Sequence, residues 1–365
     1  MKKRLCLCLI IACLFYSCND SKNKGEKEEF TNITINIEQD VLLPISTIAE
    51  KIETIELEMT DESLINPDRI QRILITDDNI IVLESFQTLV FNRRGKFIRS
   101  IGQRGQGPGE FIFLLYNIAI DEKNKNLFLN TTSKIICYDL NGKFLKEREM
   151  NTIHDINFIN NELLVFVANY RKNDSKGFIT NSIIYKLNND LQIIDSIPVQ
   201  NTYFDERPEE MIYESPELIL YRDTFVSFYL AKYYFEINKP LLHDTLYNLR
   251  NNCLIPELKL DFNNDKIENN WNTFINISNI YRSSRYIFSN YYQKRKKFQF
   301  CFDTKTGKGY NMQDGFIDDV NGLEQPVQIR PFSLDTERFY YWHTHMKPDD
   351  LEEMNPTLYI GTLKK

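Results

Sequence analysis

The sequence predicts an all-β protein, a six-bladed β-propeller of four-stranded antiparallel blades, and three observations carry that prediction. First, Phe91, Tyr138 and Tyr185 are separated by two equal intervals of 47 residues, and each sits in the same local pattern. That pattern is an apolar strand end, a turn holding Gly or Asn where positive φ is needed, and a second apolar strand. Val90-Phe91-Asn92-Arg93-Arg94-Gly95-Lys96-Phe97 and Cys137-Tyr138-Asp139-Leu140-Asn141-Gly142-Lys143-Phe144 show it best. Such a segment is a β-hairpin. Second, looser copies follow at Leu246-Tyr247, at Phe302-Asp303 with Thr306-Gly307-Lys308, and at Leu358-Tyr359, which makes six marks. Third, each mark is preceded by one or two short apolar runs, such as 72–75, 79–83 and 126–129, which supply inner strands. A hairpin unit recurring every ~40–50 residues buries its two faces only against its neighbours, which is the logic of propeller blades.

The elements divide in chain order. Residues 1–17 read as a signal peptide: Lys2-Lys3-Arg4 is a basic start, and Leu5 to Tyr16 is an apolar stretch of twelve residues. Twelve residues are too few to span a bilayer as a mature helix. Ser17-Cys18 then reads as a lipoprotein processing site, with Cys18 the acylated N-terminus of the mature chain. Residues 18–30 are polar and lack apolar anchors, so they are expected to form a flexible tether. Its typical reach is roughly 20 Å. Residues 31–365 are expected to form one propeller domain. Its first segment, Ile33 to Leu57, alternates apolar and polar residues and is expected to pair with the last blade and close the ring.

Bulk properties exclude some partners. The formal charge of −7 becomes −10 once Lys2, Lys3 and Arg4 leave with the leader. Nucleic-acid affinity needs clustered Lys and Arg against phosphate, so no nucleic acid is expected. Besides Cys18, the mature chain keeps Cys137, Cys253 and Cys301. Cys137 and Cys301 occupy the same repeat position in blades two and five, opposite each other in a six-fold ring. They read as small buried apolar residues rather than a disulfide pair.

Between blades one and two lies Ile101-Gly102-Gln103-Arg104-Gly105-Gln106-Gly107-Pro108-Gly109-Glu110-Phe111. Phosphate-cradling loops need a Gly-Lys-Ser/Thr ending and a following helix, and this one has neither. The loop reads as a sharply turned connection, with Arg104 and Glu110 as its candidate binding positions. The chain at this point resembles the bacterial six-bladed β-propeller lipoproteins, relatives of the NHL and TolB-like propellers. The G-Q-G-P-G-E-F loop after F-x-x-x-G-K-F-I carries most of the likeness. Asp244-Thr245-Leu246-Tyr247, Ile255-Pro256, Asp318-Asp319-Val320-Asn321-Gly322 and Asn355-Pro356-Thr357-Leu358-Tyr359 add to it. It covers Ile52 to Lys364, departing at Asn321-Gly322-Leu323, where a paired glycine is common. The resemblance implies the fold and a cell-envelope location, usually the outer membrane of Gram-negative bacteria, periplasmic or surface-facing. It implies no activity and no catalytic residues.

Connections between strands two and three, and between blades, share one rim of a propeller. The long segments Tyr170 to Thr180, Val199 to Pro216, Arg250 to Ile275 and Met346 to Pro356 are all expected there, so that rim is the candidate binding face. Lys294-Arg295-Lys296-Lys297 is a basic run on the same rim and would suit an anionic partner. His343 and His345 share a strand face, but zinc would need a third ligand. Asp261, Asn263 and Asp265 imitate the start of a calcium loop, with Lys266 and Asn272 where it needs Gly and Glu. No metal, cofactor or catalytic residue is therefore assigned. The expected function is a non-enzymatic binding or scaffold module, monomeric, held to the membrane by the lipid on Cys18. Its partner would be an envelope protein, a glycan or a small-molecule ligand. The alternative is a hydrolase, lyase or lactonase with a metal in the central channel, which should gather three or more Asp, Glu, Asn or His around its mouth.

Overall fold

The computed structural model describes residues 31–112, 114–172, 177–204, 213–221, 225–233, 244–262, 275–333, 336–344 and 354–365. Six sheets form the blades, each with four antiparallel strands, consecutive in the chain in all but the last blade. Blade one spans Ile70 to Ser100 and blade two Asn117 to Glu149. Blade three spans Ile153 to Phe204, blade four Tyr213 to Asp261, and blade five Ile275 to Gln313. Blade six takes Arg330–Ser333, Arg338–His343 and Thr357–Leu363 from the C-terminal end and Ala49–Glu56 from the N-terminal end as its outer strand. The ring is thus closed by strands from both ends of the domain.

The expectation for Ile33 to Leu57 holds only for its second half. Thr31–Thr34 instead joins blade four, pairing in parallel with Cys253–Asp261 as a fifth, outermost strand. The chain then crosses blade five, where the Val41 amide donates to the Asn311 carbonyl (2.9 Å) and the Asn311 side-chain amide donates to the Gln39 carbonyl (2.8 Å). Ile45 and Leu43 pair with Ile317, and Ser46 donates to the Asp319 carboxylate (2.5 Å), before the chain enters blade six. This strap ties three consecutive blades together from outside, at edges that would otherwise be open to foreign strands.

No single core runs through the ring. Buried residues form six wedges, one at each blade-to-blade contact. Alternation along a strand sends neighbours into different wedges. Ile80 and Val82 enter the wedge shared by blades six and one, while Ile81 and Leu83 enter that of blades one and two. A strand buried on both faces must be apolar throughout, which explains runs such as Ile80-Ile81-Val82-Leu83. Cys137 and Cys301 are buried free thiols in separate wedges, and Cys253 is exposed and free. Burial pushes the Cys137 thiol up to about 11, so it stays protonated and inert.

The repeating hairpin has a common chemical cause in three blades. Asn92 Oδ1 accepts from the Arg94 and Lys96 amides, and Asp139 Oδ1 accepts from Asn141 and Lys143. Asn188 Oδ1 accepts in the same way from Asp190 and Gln192. Gly95 (φ 80°), Gly142 (φ 86°) and Leu191 (φ 58°) hold the equivalent left-handed position. These contacts correct the third repeat mark. The residue equivalent to Phe91 and Tyr138 is Leu187, two positions beyond Tyr185, and the strand register shifts immediately before each of the three.

Candidate functional site

The first strand of each blade lines the central channel, which contains a cavity of about 650 Å³ walled by blades one, two, three, five and six. Chain direction orients it. First strands start on the rim carrying the blade-to-blade connections and end on the rim carrying short turns such as Thr76 to Asn79 and Asn160-Asn161. Register shifts between Ile70 and Arg72, and between Ile153 and Asp155, re-aim side chains near the connection rim.

Three of those side chains meet across blades. Arg72 Nη1 donates to Asn117 Oδ1 (2.7 Å) and lies 3.8 Å from Asp155 Oδ1. Asn117 Nδ2 in turn donates to Asp155 Oδ1, which also accepts from the Ile156 amide (2.8 Å). The Asp155 side chain is only 4% exposed, so its charge depends on these donors. Asn157 and His154 continue the same wall on blade three. The channel therefore gathers Asn117, His154, Asp155 and Asn157, although Asn117 and Asp155 are bonded to Arg72. Among the described residues, no three His, Cys, Asp or Glu side chains are grouped to hold a metal ion.

Blade six contributes a different wall. Trp342, Tyr340 and Phe332 form a ladder of rings packed into the wedge between blades six and one, with centroids 6.1 Å and 5.9 Å apart, and Phe332 and Tyr340 also reach the cavity. Arg330 stacks on Trp342 at 4.5 Å, and Arg338 stacks on Phe332 at 5.2 Å. At the short-turn end, Glu122 lies near Asp77 and Asp78. Its carboxyl is held above the ordinary range, first by desolvation and then by those two charges. A second cavity of about 520 Å³ opens between blades one and two at that end, with Asp77, Asp78, Arg99 and Asn141 in its wall.

The residues singled out from sequence lie on the connection rim, but they do not converge. The glycine loop closes as a turn in which the Glu110 amide donates to the Gly107 carbonyl (3.0 Å). The Glu110 carboxylate then accepts from the Gly107 amide (2.8 Å) and from Gln103 (2.5 Å), which keeps it below the usual carboxylate range. Gly109 (φ 75°) is packed so closely that a Cβ would sit 2.6 Å from the Phe144 ring, and Tyr138 donates its hydroxyl to the Gly109 carbonyl. Glu110 is thus a clasp of the turn. Arg104 stacks on Phe86 at 4.9 Å. Lys294 and Arg295 (φ 49° and 64°) make a two-residue hairpin tip on blade five, and Lys296 and Lys297 begin its third strand, all four exposed. Lys296 donates to Gln313 (2.9 Å). His343 ends the second strand of blade six, paired with Thr357. Cys18, His345, Asn263, Asp265, Lys266 and Asn272 lie outside the described residues.

The binding face also needs redrawing in one place. Arg250 to Ile275 does not belong wholly to the connection rim, because Asn251-Asn252 is a tight turn on the opposite rim and Cys253–Asp261 is a strand. Much of the length in Tyr170 to Thr180 and Val199 to Pro216 is strand too. Blade three extends Glu162–Lys172, Phe178–Leu187 and Ile193–Phe204 to 11, 10 and 12 residues. Sequence reading missed Arg72, Asn117 and Asp155. They are 45 and 38 residues apart, and only a polar residue near the start of three successive first strands hints at them.

Solved structures share this architecture. A candidate exported protein of Bacteroides fragilis NCTC 9343 matches at 17% identity with a TM-score of 0.63, over 92% of this chain and 100% of that one. The WD40 domain of Neurospora crassa Pan2 matches at 13% identity and a TM-score of 0.43, over 81% and 76%. A protein of unknown function from Bacteroides caccae matches at 13% and 0.38, over 67% and 81%. At such identities the likeness is one of fold, and it rests on the first. No curated protein matches the chain. The profile of a family described as a domain of unknown function, DUF4934, matches residues 30–360, and the chain belongs to that family.

Proposed function

We propose that this protein is a lipid-anchored binding module of the cell envelope that admits a small ligand into its central channel. The observation carrying this reading is the cavity of about 650 Å³, a volume ordinary for small-molecule sites, with a cross-blade polar network in its wall. The leader pattern and Cys18 support export and acylation. The direction of the first strand supports an orientation. Thr31–Thr34 runs parallel to Cys253–Asp261, from the short-turn side toward the connection rim. A tether entering from the short-turn side leaves the connection rim facing away from the membrane, open to ligand. The exposed basic hairpin at Lys294 and Arg295 and the tall hairpin of blade three stand on that outward rim and suit a protein or glycan partner.

Native mass spectrometry of the purified domain, equilibrated with a small-molecule extract of the envelope, tests the reading. A discrete adduct that Arg72→Ala removes supports it; a wild-type domain without any adduct sinks it. A second reading, a hydrolase or lyase working in the same channel, draws on His154, Asp155 and Asn157. Turnover of a bound compound that His154→Ala abolishes would favour it.

A further inference from the structure

The charges of the channel do not balance on its blade-six side. Other partly buried arginines of the fold have polar partners: Arg72 pairs with Asp155, Arg93 with Glu53, Arg282 with Glu257 and Arg285 with Asp303, while Arg99 donates to Asn141 and Arg148 to the Leu191 carbonyl. Arg330 and Arg338 line the cavity, yet among the described residues neither forms an ion pair or a hydrogen bond. Each is held only by a ring, Trp342 or Phe332. Acidic residues outnumber basic ones in this chain, 51 to 44, so two arginines without an ion pair among the described residues are not explained by a shortage of carboxylates. The Arg93 guanidinium is disfavoured first by burial and then by Arg338, with Glu53 and Asp77 opposing.

Stacking on a ring fixes the plane of a guanidinium and leaves its N–H fork free in that plane, ready for a carboxylate or phosphate. The two arginines flank the ladder of Trp342, Tyr340 and Phe332. Arg330 begins the first strand of blade six, and Arg338 faces Ser333, three residues further on. Their backbone positions are therefore about 10 Å apart along the channel. We infer that the blade-six wall is a seat for a small organic anion carrying at least two oxyanionic groups, carboxylate or phosphate. One group would be taken by Arg330 near the connection rim and one by Arg338 deeper in, and the body of the ligand would lie against Phe332, the partly exposed ring of that wall. This inference rests on the channel being the ligand site and adds the class of ligand.

Isothermal titration at fixed ionic strength with terephthalate, fructose 1,6-bisphosphate and the neutral terephthalamide tests it. Saturable one-to-one binding of one or both anions is expected, and the arm that binds tells carboxylate from phosphate. Terephthalamide should not bind. Arg330→Gln and Arg338→Gln should each weaken the anion by about tenfold or more, the loss of one charge-assisted pair. Arg→Lys at either position keeps the charge without the fork and should give an intermediate affinity, which guards against a glutamine variant that fails to fold. Absence of binding by both anions, equal binding of terephthalamide, or an affinity unchanged in both arginine variants would overturn the assignment. A neutral adduct in native mass spectrometry that survives both substitutions would remove this inference and leave the channel reading standing.

Discussion

The outer hairpins and the inner strands of this propeller answer to different constraints. In blades one to three the outer hairpin is a local solution. Asn92, Asp139 and Asn188 accept the same pair of backbone amides within four residues, whatever blade surrounds them. The inner strands are solved between blades. Arg72, Asn117 and Asp155 sit on three different blades and bond to one another across them. Blade six instead presents Arg330 and Arg338 on an aromatic ladder. The scaffold is held by repetition, and the part that can recognise a ligand is where repetition stops.

Substitutions can break that comparison. The largest effect is expected in the wedges, where Phe91→Ala removes a ring that is 0% exposed and should cost about 3–5 kcal/mol in chemical denaturation. A cost below about 1 kcal/mol would mean that the wedges do not hold the ring together. Asp155→Ala should cost about 2–3 kcal/mol, because it leaves Arg72 without its carboxylate and Asn117 without an acceptor. A double-mutant cycle with Arg72→Ala should show strong coupling, and additive losses would dissolve the network. Gly109→Val should lower the melting temperature, at a cost of about 1–3 kcal/mol, since φ is 75° and Phe144 occupies the space. Nucleotide addition should restore nothing.

The hairpin side of the comparison is sharpened by smaller effects. Asn92→Ala, Asp139→Ala and Asn188→Ala should each cost about 1 kcal/mol, by similar amounts, if the three turns are one device. A negligible cost at Asn188 alone would restore Tyr185 as the repeat mark. At acid pH, Asp303 gives the smallest signal. Its hydrogen bonds to Arg285 hold its carboxyl down to about 2 from 3.8. A depressed carboxylate stabilises above its unfolded value, so this contribution should fade as pH drops from about 4 through 2. Asp303→Asn should remove that part of the acid transition.

The blade count was legible because turn chemistry is local and recurs at matching places. The third mark was misplaced by two residues because Leu191 takes the left-handed position that glycine holds in the other two turns, hiding the true alignment. The alternation of Ile33 to Ile37 revealed a strand, which the structure places at Thr31–Thr34, but not its partner, since pairing with Leu258 to Asp261 is decided by the path of the strap. The network of Arg72, Asn117 and Asp155 was invisible for a related reason. Its members are brought together by closure of the ring, and no spacing in the sequence encodes that.

Hydrogen–deuterium exchange on the domain, with and without the small molecule that it retains, tests the channel assignment most directly. Protection on binding should concentrate in the first strands, Ile70–Ile75, Asn117–Asp121, Ile153–Ile159 and Arg330–Ser333. Those strands present their free edges to the cavity, and the outer strands Phe97–Ser100 and Phe144–Glu149 should stay unchanged. Protection confined to the outer strands, or to the hairpin tip at Lys294 and Arg295, would contradict a ligand held in the channel.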